Sequence, residues 1–316
     1  MEKLKIGLID FGIRTAKLNS LLKVNDLINY AYQADELGYS RFWLGEHHIP
    51  DPTHTWNDPT ILIPILASMT SKIRIGTAGI LLSIHQPYHV ACNFKMLTNL
   101  FPNRIDLGLA NGGVMSSVAQ LATGIEGLNM PEAFKNNLDK FFYIINNESE
   151  VLQIGTVVSP YKGVNPDVWS LSTGMGKSID RALEHGTNLS RSIFHTNADM
   201  EAHKDKLAEF KEAFYNKHNR YPKVNLVVSG ICHKTTAKAK RAVGPLRDGF
   251  GYNITGTPAQ FHEAFLAFSE KYGVDEIIFM NAAKEPKDRL MGIELIAQEF
   301  SLPDSAKVRR VKQTAA

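Results

Sequence analysis

The sequence predicts a single-domain α/β protein folded as a (β/α)8 TIM barrel. Short apolar runs alternate with helix-patterned segments through eight rounds, the pattern of a parallel sheet covered by helices. No linker and no internal repeat divides the chain. No Gly-rich dinucleotide turn follows the first run, which places the open doubly wound sheet behind the barrel. With 316 residues, 44% of them hydrophobic and 21% charged, the chain can bury one large core.

The first strand is Lys3 to Ile9, ended by Asp10-Phe11-Gly12 and followed by a loop with Lys17 and Asn19. Leu27, Ala31, Ala34 and Leu37 recur at helical spacing, and Gly38 stops that helix. Arg41 to Leu44 is the second strand. A loop from Ile49 to Asn57 leads to Asp58-Pro59, which opens a helix to Thr70. Ile73 to Thr77 is the third strand, Ala78 to Gln86 its loop, and Pro87 to Leu100 the next helix. Arg104 to Ala110 is the fourth strand, with Asn111-Gly112-Gly113 as its turn, and Val114 to Met130 reads as a long loop. Pro131 starts a helix that sets Phe134, Leu138 and Phe141 on one face.

Val151 to Ile154 and Thr156 to Val158 flank Gly155 and read as a short hairpin outside the main sheet. Asp167 to Leu171 is the fifth strand, and Met175 to His185 a helix stopped by Gly186. Asn188 to Ile193 is the sixth strand, and Asp199 to His218 a long helix with Leu207, Phe210 and Phe214 inward. Lys223 to Ser229 is the seventh. A short helix from Thr235 to Val243, a Gly-rich loop to Thr257 and a helix from Pro258 to Tyr272 follow. Asp275 to Met280 is the eighth strand, and Pro286 to Phe300 the last helix. The barrel thus occupies residues 1–300. Ser301 to Ala316 is polar, basic and aperiodic, and reads as a tail outside it.

The bulk numbers narrow the function. A net charge of +3 gives no basis for nucleic-acid or membrane binding. Two cysteines, Cys92 and Cys232, stand far apart in no paired motif, as in a reducing compartment. The start of the chain has no apolar leader, and the apolar run Ile61 to Met69 is too short to span a bilayer. The expected location is the cytoplasm.

Candidate chemistry gathers where the strands end. Gly45-Glu46-His47-His48 closes the second strand. The C-terminal edge of parallel strands is where such folds build sites. Alternation along a strand turns neighbours to opposite faces, so one imidazole is expected to face the site, and His47 is the choice. Ser172-Thr173-Gly174-Met175-Gly176-Lys177-Ser178 joins the fifth strand to a helix. Its backbone N–H groups, the helix N-terminus, Lys177 and Ser178 suit a phosphate; an ordinary helix cap is the competing reading. It is not a P-loop, because Leu171 stands where that motif needs its first glycine. Asn111-Gly112-Gly113 is either a plain turn or part of the ligand wall. His47, His48, His54, His85 and His89 lack a metal-binding spacing, so no metal is expected.

The chain resembles the bacterial luciferase-like flavin monooxygenases. Four stretches carry the resemblance: Phe42 to His48; Ile73 to Leu82 with Pro87 beyond it; Asn103 to Gly112; and Gly256-Thr257-Pro258. The resemblance implies that reduced FMN binds at the strand ends, meets dioxygen, and through a C4a-peroxide oxygenates a small organic substrate. It makes His47, with Glu46, the candidate acid/base. It places a non-proline cis peptide at Ala78-Gly79 beside the flavin. With the phosphate reading of the loop after the fifth strand, the residues expected around the cofactor are Ala78, Gly79, Ala110, Asn111, Thr173, Gly174, Met175, Gly176, Lys177 and Ser178.

The sequence also departs from the family. Asn111 replaces an arginine that meets the FMN phosphate in the luciferase catalytic subunit, and Ala110 replaces its reactive cysteine. Gly174 and Met175 replace an acid and a hydroxyl residue, while Ser178 keeps a hydroxyl. The resemblance further implies a separate NAD(P)H-dependent flavin reductase and a homodimer through the helices after the second and third strands. Asp10, Trp56, Met115, Phe250 and Tyr252 are expected around a partly apolar substrate. A deazaflavin-dependent hydride-transfer enzyme and a non-catalytic flavin-binding barrel are the alternatives.

Overall fold

In this computed structural model, which describes residues 3–13, 19–52, 54–174, 176–195, 203–244 and 250–303, the first strand pairs with both the second and the last. That double pairing closes the sheet. In chain order the elements are β1 (Lys5–Asp10), α1 (Ser20–Glu36), β2 (Arg41–Leu44), α2 (Leu62–Met69), β3 (Arg74–Leu81), α3 (Pro87–Leu100), β4 (Ile105–Ala110), α4 (Ser116–Thr123), α5 (Met130–Asn146) and α6 (Glu148–Gln153). Then come β5 (Asp167–Ser172), α7 (Lys177–His185), β6 (Asn188–Ser192), α8 (His203–His218), β7 (Val224–Cys232), α9 (Thr236–Arg241), β8 (Ile254–Gly256), α10 (Pro258–Tyr272), β9 (Glu276–Asn281) and α11 (Pro286–Glu299). The barrel runs β1 to β7 and then β9, eight parallel strands in all. The ninth, β8, pairs only with the last residues of β7.

The (β/α)8 expectation holds, and the differences have local causes. The helix expected from Asp58 begins at Leu62, because the Asp58 carboxylate caps the Thr60 N–H and makes a turn first. The hairpin expected around Gly155 is instead α6, whose Val151 is buried while Glu148 and Glu150 sit in its first turn. The long loop after Gly113 contains α4, a helix of which only Ala119 is buried, so it has no apolar face to read. The strand expected to stop at Thr77 runs on to Leu81 through a register shift against β4. Of the tail, residues 304–316 lie outside the described residues, as do Lys17 and residues 199–202 of the expected long helix. Among the described residues no helix is long and apolar enough to cross a membrane.

Alternation sorts the side chains. Phe42, Leu44, Ile75, Ile105 and Leu107 point out to the helices and form the larger core. Trp43, Trp169, Val227 and Ile278 point in and fill the middle of the barrel. The two indoles meet edge to face, with ring centroids 5.2 Å apart. Below them a charged floor closes the barrel at the strand N-termini. Asp106 accepts Arg41 Nη1 at 2.7 Å, Trp43 Nε1 at 2.9 Å and Arg74 Nη2 at 2.6 Å. Arg41 also donates to Glu276, and its guanidinium lies 4.6 Å from the Trp169 ring centre. A plugged floor leaves the other end of the barrel for a ligand.

Three buried carboxylates are expected to make the fold acid-sensitive. Burial works against ionised Asp106, but Arg41 and Arg74 outweigh it and hold the carboxyl below its usual range. Asp10 is likewise held down by Arg289 and Lys23, and Glu46 by His48 and His85, in each case against burial. A carboxyl with a lowered folded-state pKa stabilises the fold fully above its unfolded-state pKa. That stability is lost as pH falls through the lowered value. The urea midpoint is therefore expected to drop steeply below about pH 4 relative to about pH 6. Equal midpoints at the two pH values would contradict the assignment.

Candidate active site

A cavity of about 560 Å3 opens at the C-terminal ends of the strands. That size lies within the roughly 300–1,000 Å3 typical of cofactor and substrate pockets.

One wall is made where β3 meets β4. The Ala78–Gly79 peptide bond is cis, as the resemblance implied, and both residues line the cavity. The register shift between Thr77 and Ile80 accommodates them. A Cβ at Gly79 would stand 2.7 Å from the Gly108 carbonyl group and 2.5 Å from Leu171 Cδ1, so only glycine fits here. Ala110 and Asn111 continue this wall, with Asn111 exposed at the rim.

The opposite end is basic. α7 starts at the rim with no side-chain cap on its N-terminus, which leaves backbone donors and the positive end of the helix dipole there. Thr173, Lys177, Ser178 and Arg181 line the cavity beside it. The Arg181 guanidinium lies 4.8 Å from the Phe134 ring centre; burial lowers its pKa, and Asp180 partly offsets this. Gly174 and Gly176 belong to the approach loop but do not line the cavity, and a Cβ on either would meet open space. Met175 lies outside the described residues.

The third wall is aromatic and carries imidazoles. Gly45 leaves room for the Phe11 ring, since a Cβ there would come within 2.3 Å of it. His47 stacks on Phe11, with centroids 5.0 Å apart and planes 14° from parallel. Phe11 in turn meets Phe194 and Phe250 at 6.0 and 5.8 Å. Beyond them His195 receives or donates a hydrogen bond at Nδ1 with Ser192 Oγ, 2.8 Å away. His48 lines the cavity as well as His47. The expectation that only one would face it fails because β2 ends at Leu44, so strand alternation no longer governs residues 45–48.

Glu46 is 2% exposed and fully engaged. Its Oε1 binds Nε2 of His48 at 2.7 Å and Nε2 of His85 at 2.8 Å, and its Oε2 accepts the Leu81 N–H at 2.9 Å. Burial works against the His85 cation, but the hydrogen bond and charge of Glu46, helped by Asp58, hold its pKa above the usual histidine value. Among the described lining residues Glu46 is the only carboxylate. The rest of the polar lining is neutral or basic, which favours an anionic ligand.

Four residues expected around the substrate stand elsewhere. Asp10 turns under the barrel rim, where it accepts the Gly12 N–H at 2.7 Å and pairs with Arg289 and, at 3.5 Å, Lys23. Trp56 is buried and donates its indole N–H to the Gly45 carbonyl at 3.1 Å. Met115 is exposed just before α4, and Tyr252 bonds to the Gly244 carbonyl at 2.5 Å. Of the five, only Phe250 lines the cavity. Residues that line the cavity beyond those expected from the sequence include Arg181, one helical turn after Lys177, and Ser192 and His195, which belong to no pattern.

Residues 7–136 match the family model described as luciferase-like monooxygenase. The chain is 24% identical over 321 residues to the uncharacterised protein YwcH of Bacillus subtilis (strain 168), covering 90% of this chain and 95% of that one. It is 41% identical over 96 residues to the N-acetyl-S-alkylcysteine monooxygenase of the same organism, a match spanning 30% of this chain and 28% of the enzyme. Among solved structures, apo-MsnO8 superposes with a TM-score of 0.82 at 23% identity, covering 95% of this chain and 99% of that one. The FMN complex of the oxygenating constituent of 3,6-diketocamphane monooxygenase from Pseudomonas putida gives a TM-score of 0.74 at 19% identity, over 94% and 98%. An F420-dependent secondary alcohol dehydrogenase gives 0.64 at 15%, over 96% and 99%. At these identities the structural likeness speaks for the fold alone.

Proposed function

We propose that this chain, whose residues 7–136 match the luciferase-like monooxygenase family model, is a two-component monooxygenase that uses reduced FMN and dioxygen to oxidise a small organic molecule. The observation that carries this reading is the basic end of the cavity, where Lys177, Ser178, Arg181 and Thr173 surround the start of α7. These residues fit a phosphate. They supply from the α7 side the charge that Asn111 does not. Ala78, Gly79 and Ala110 would lie against the ring system. Bound there, reduced flavin supplies the electrons that activate dioxygen for transfer of one oxygen atom.

The chain's own residues do the rest. Phe11, Phe194 and Phe250 exclude water and favour a substrate with an apolar body. His47, held flat on Phe11, is placed to exchange a proton at the cavity wall. Glu46 is paired on both oxygens and serves as a brace. We place NAD(P)H oxidation on a separate flavin reductase and the enzyme in the cytoplasm, in keeping with two unpaired cysteines. The reading is tested by mixing the anaerobic complex with air. Reoxidation of bound reduced FMN should be markedly slower than that of free reduced FMN. Equal rates would remove the monooxygenase reading.

We also propose a homodimer through α2. Ile61, Ile65 and Met69, spaced by four residues, are 74%, 40% and 52% exposed and form an apolar stripe. Ile65→Lys is expected to shift the protein from dimer to monomer in sedimentation equilibrium. An unchanged dimer would place the interface elsewhere.

A further inference from the structure

Glu46 faces two ways. On one side it meets His48, which lines the main cavity. On the other it meets His85, which lines a second pocket of about 220 Å3 between the loop before α2, the start of α3 and α4. Asp58, His89 and Asn93 also face that pocket, and α4 contributes only Ala122. Both imidazoles reach the same atom, Oε1, through Nε2. An ionised carboxylate oxygen accepts and does not donate, so each Nε2 carries a proton. The remaining nitrogen of His48, Nδ1, is then the one able to take up a proton. Glu46 is held in place for this by His85, from the second pocket, and by the Leu81 N–H.

We infer that His48 is a second proton-accepting group of the cavity, acting through Nδ1, and that His85 is a positioning residue that fixes its tautomer by holding Glu46 from the second pocket. The step is a simple transfer: a group in the cavity gives a proton to Nδ1 of neutral His48, and the resulting imidazolium keeps its Nε2 proton against Glu46. What the proton is used for rests on the proposed function; the tautomer does not.

The test is a long-range 1H–15N correlation spectrum of the protein without flavin. It should show neutral His48 as the Nε2–H tautomer. His85→Leu should give a mixture of tautomers, and His85→Gln, which keeps a donor for Oε1, should restore the single form. An Nδ1–H tautomer in the unmutated protein, or a tautomer unmoved by His85→Leu, would overturn the inference. In a second measurement, the pH dependence of reoxidation of bound reduced FMN should change in His48→Gln and His85→Leu alike and recover in His85→Gln. A profile unmoved by His48→Gln would overturn the proton-accepting role. Failure of the unmutated protein to bind reduced FMN would instead sink the functional reading and leave the tautomer result standing.

Discussion

Replacing Asp106 by alanine is expected to cost the fold about 3–5 kcal/mol. Asp106 is fully buried at the centre of the barrel floor, where two guanidinium groups and one indole N–H converge on its two oxygens. Removing the carboxylate leaves these donors without their shared acceptor. Arg41 keeps Glu276 and Arg74 keeps a longer 3.3 Å contact with Asp167, so the loss is partial at each. Domains of this kind are stable by only about 5–15 kcal/mol, so the shift in chemical denaturation will be large. A loss under about 1 kcal/mol would mean that the floor charges are hydrated or dispensable.

Replacing Arg181 by methionine is expected to weaken FMN binding by about 10- to 150-fold, the equivalent of about 1.5–3 kcal/mol for a hydrogen bond to a charged group. Lys177→Met should act in the same direction and by less, because Lys177 is exposed and more screened. Riboflavin has the same ring system without the phosphate. Its binding should be unchanged in both variants, and the FMN preference of the unmutated protein should shrink as salt rises. Equal weakening of FMN and riboflavin would place Arg181 against the ring or in the packing on Phe134, and would remove the phosphate assignment.

Much of the barrel was legible because its signals are local. Pro87, Pro258 and Pro286 open helices where expected, and Gly38 and Gly186 end them with positive φ. The continuation of β3 was not legible, because the cis peptide and register shift at Ala78–Gly79 interrupt the alternation that marks a strand. Helix α4 hid because it buries almost nothing. At the site, His47, Lys177 and Ser178 were legible through motif position. Arg181 could have been found by carrying the helical period one turn past Lys177. The role of Glu46 was not legible, since its partner His85 comes from another loop, 39 positions away. Asp10 was misplaced for a similar reason: the Arg289 that draws it from the cavity arrives from the other end of the chain.

The flavin reading stands or falls on anaerobic titration of the purified protein with reduced FMN, alongside oxidised FMN and reduced deazaflavin. Saturable one-to-one binding of reduced FMN, tighter than that of the other two, is the expected result. Binding of the deazaflavin in preference to FMN would make this a hydride-transfer enzyme on the same barrel. Binding of no flavin at all would mean that the basic end of the cavity serves a different anion.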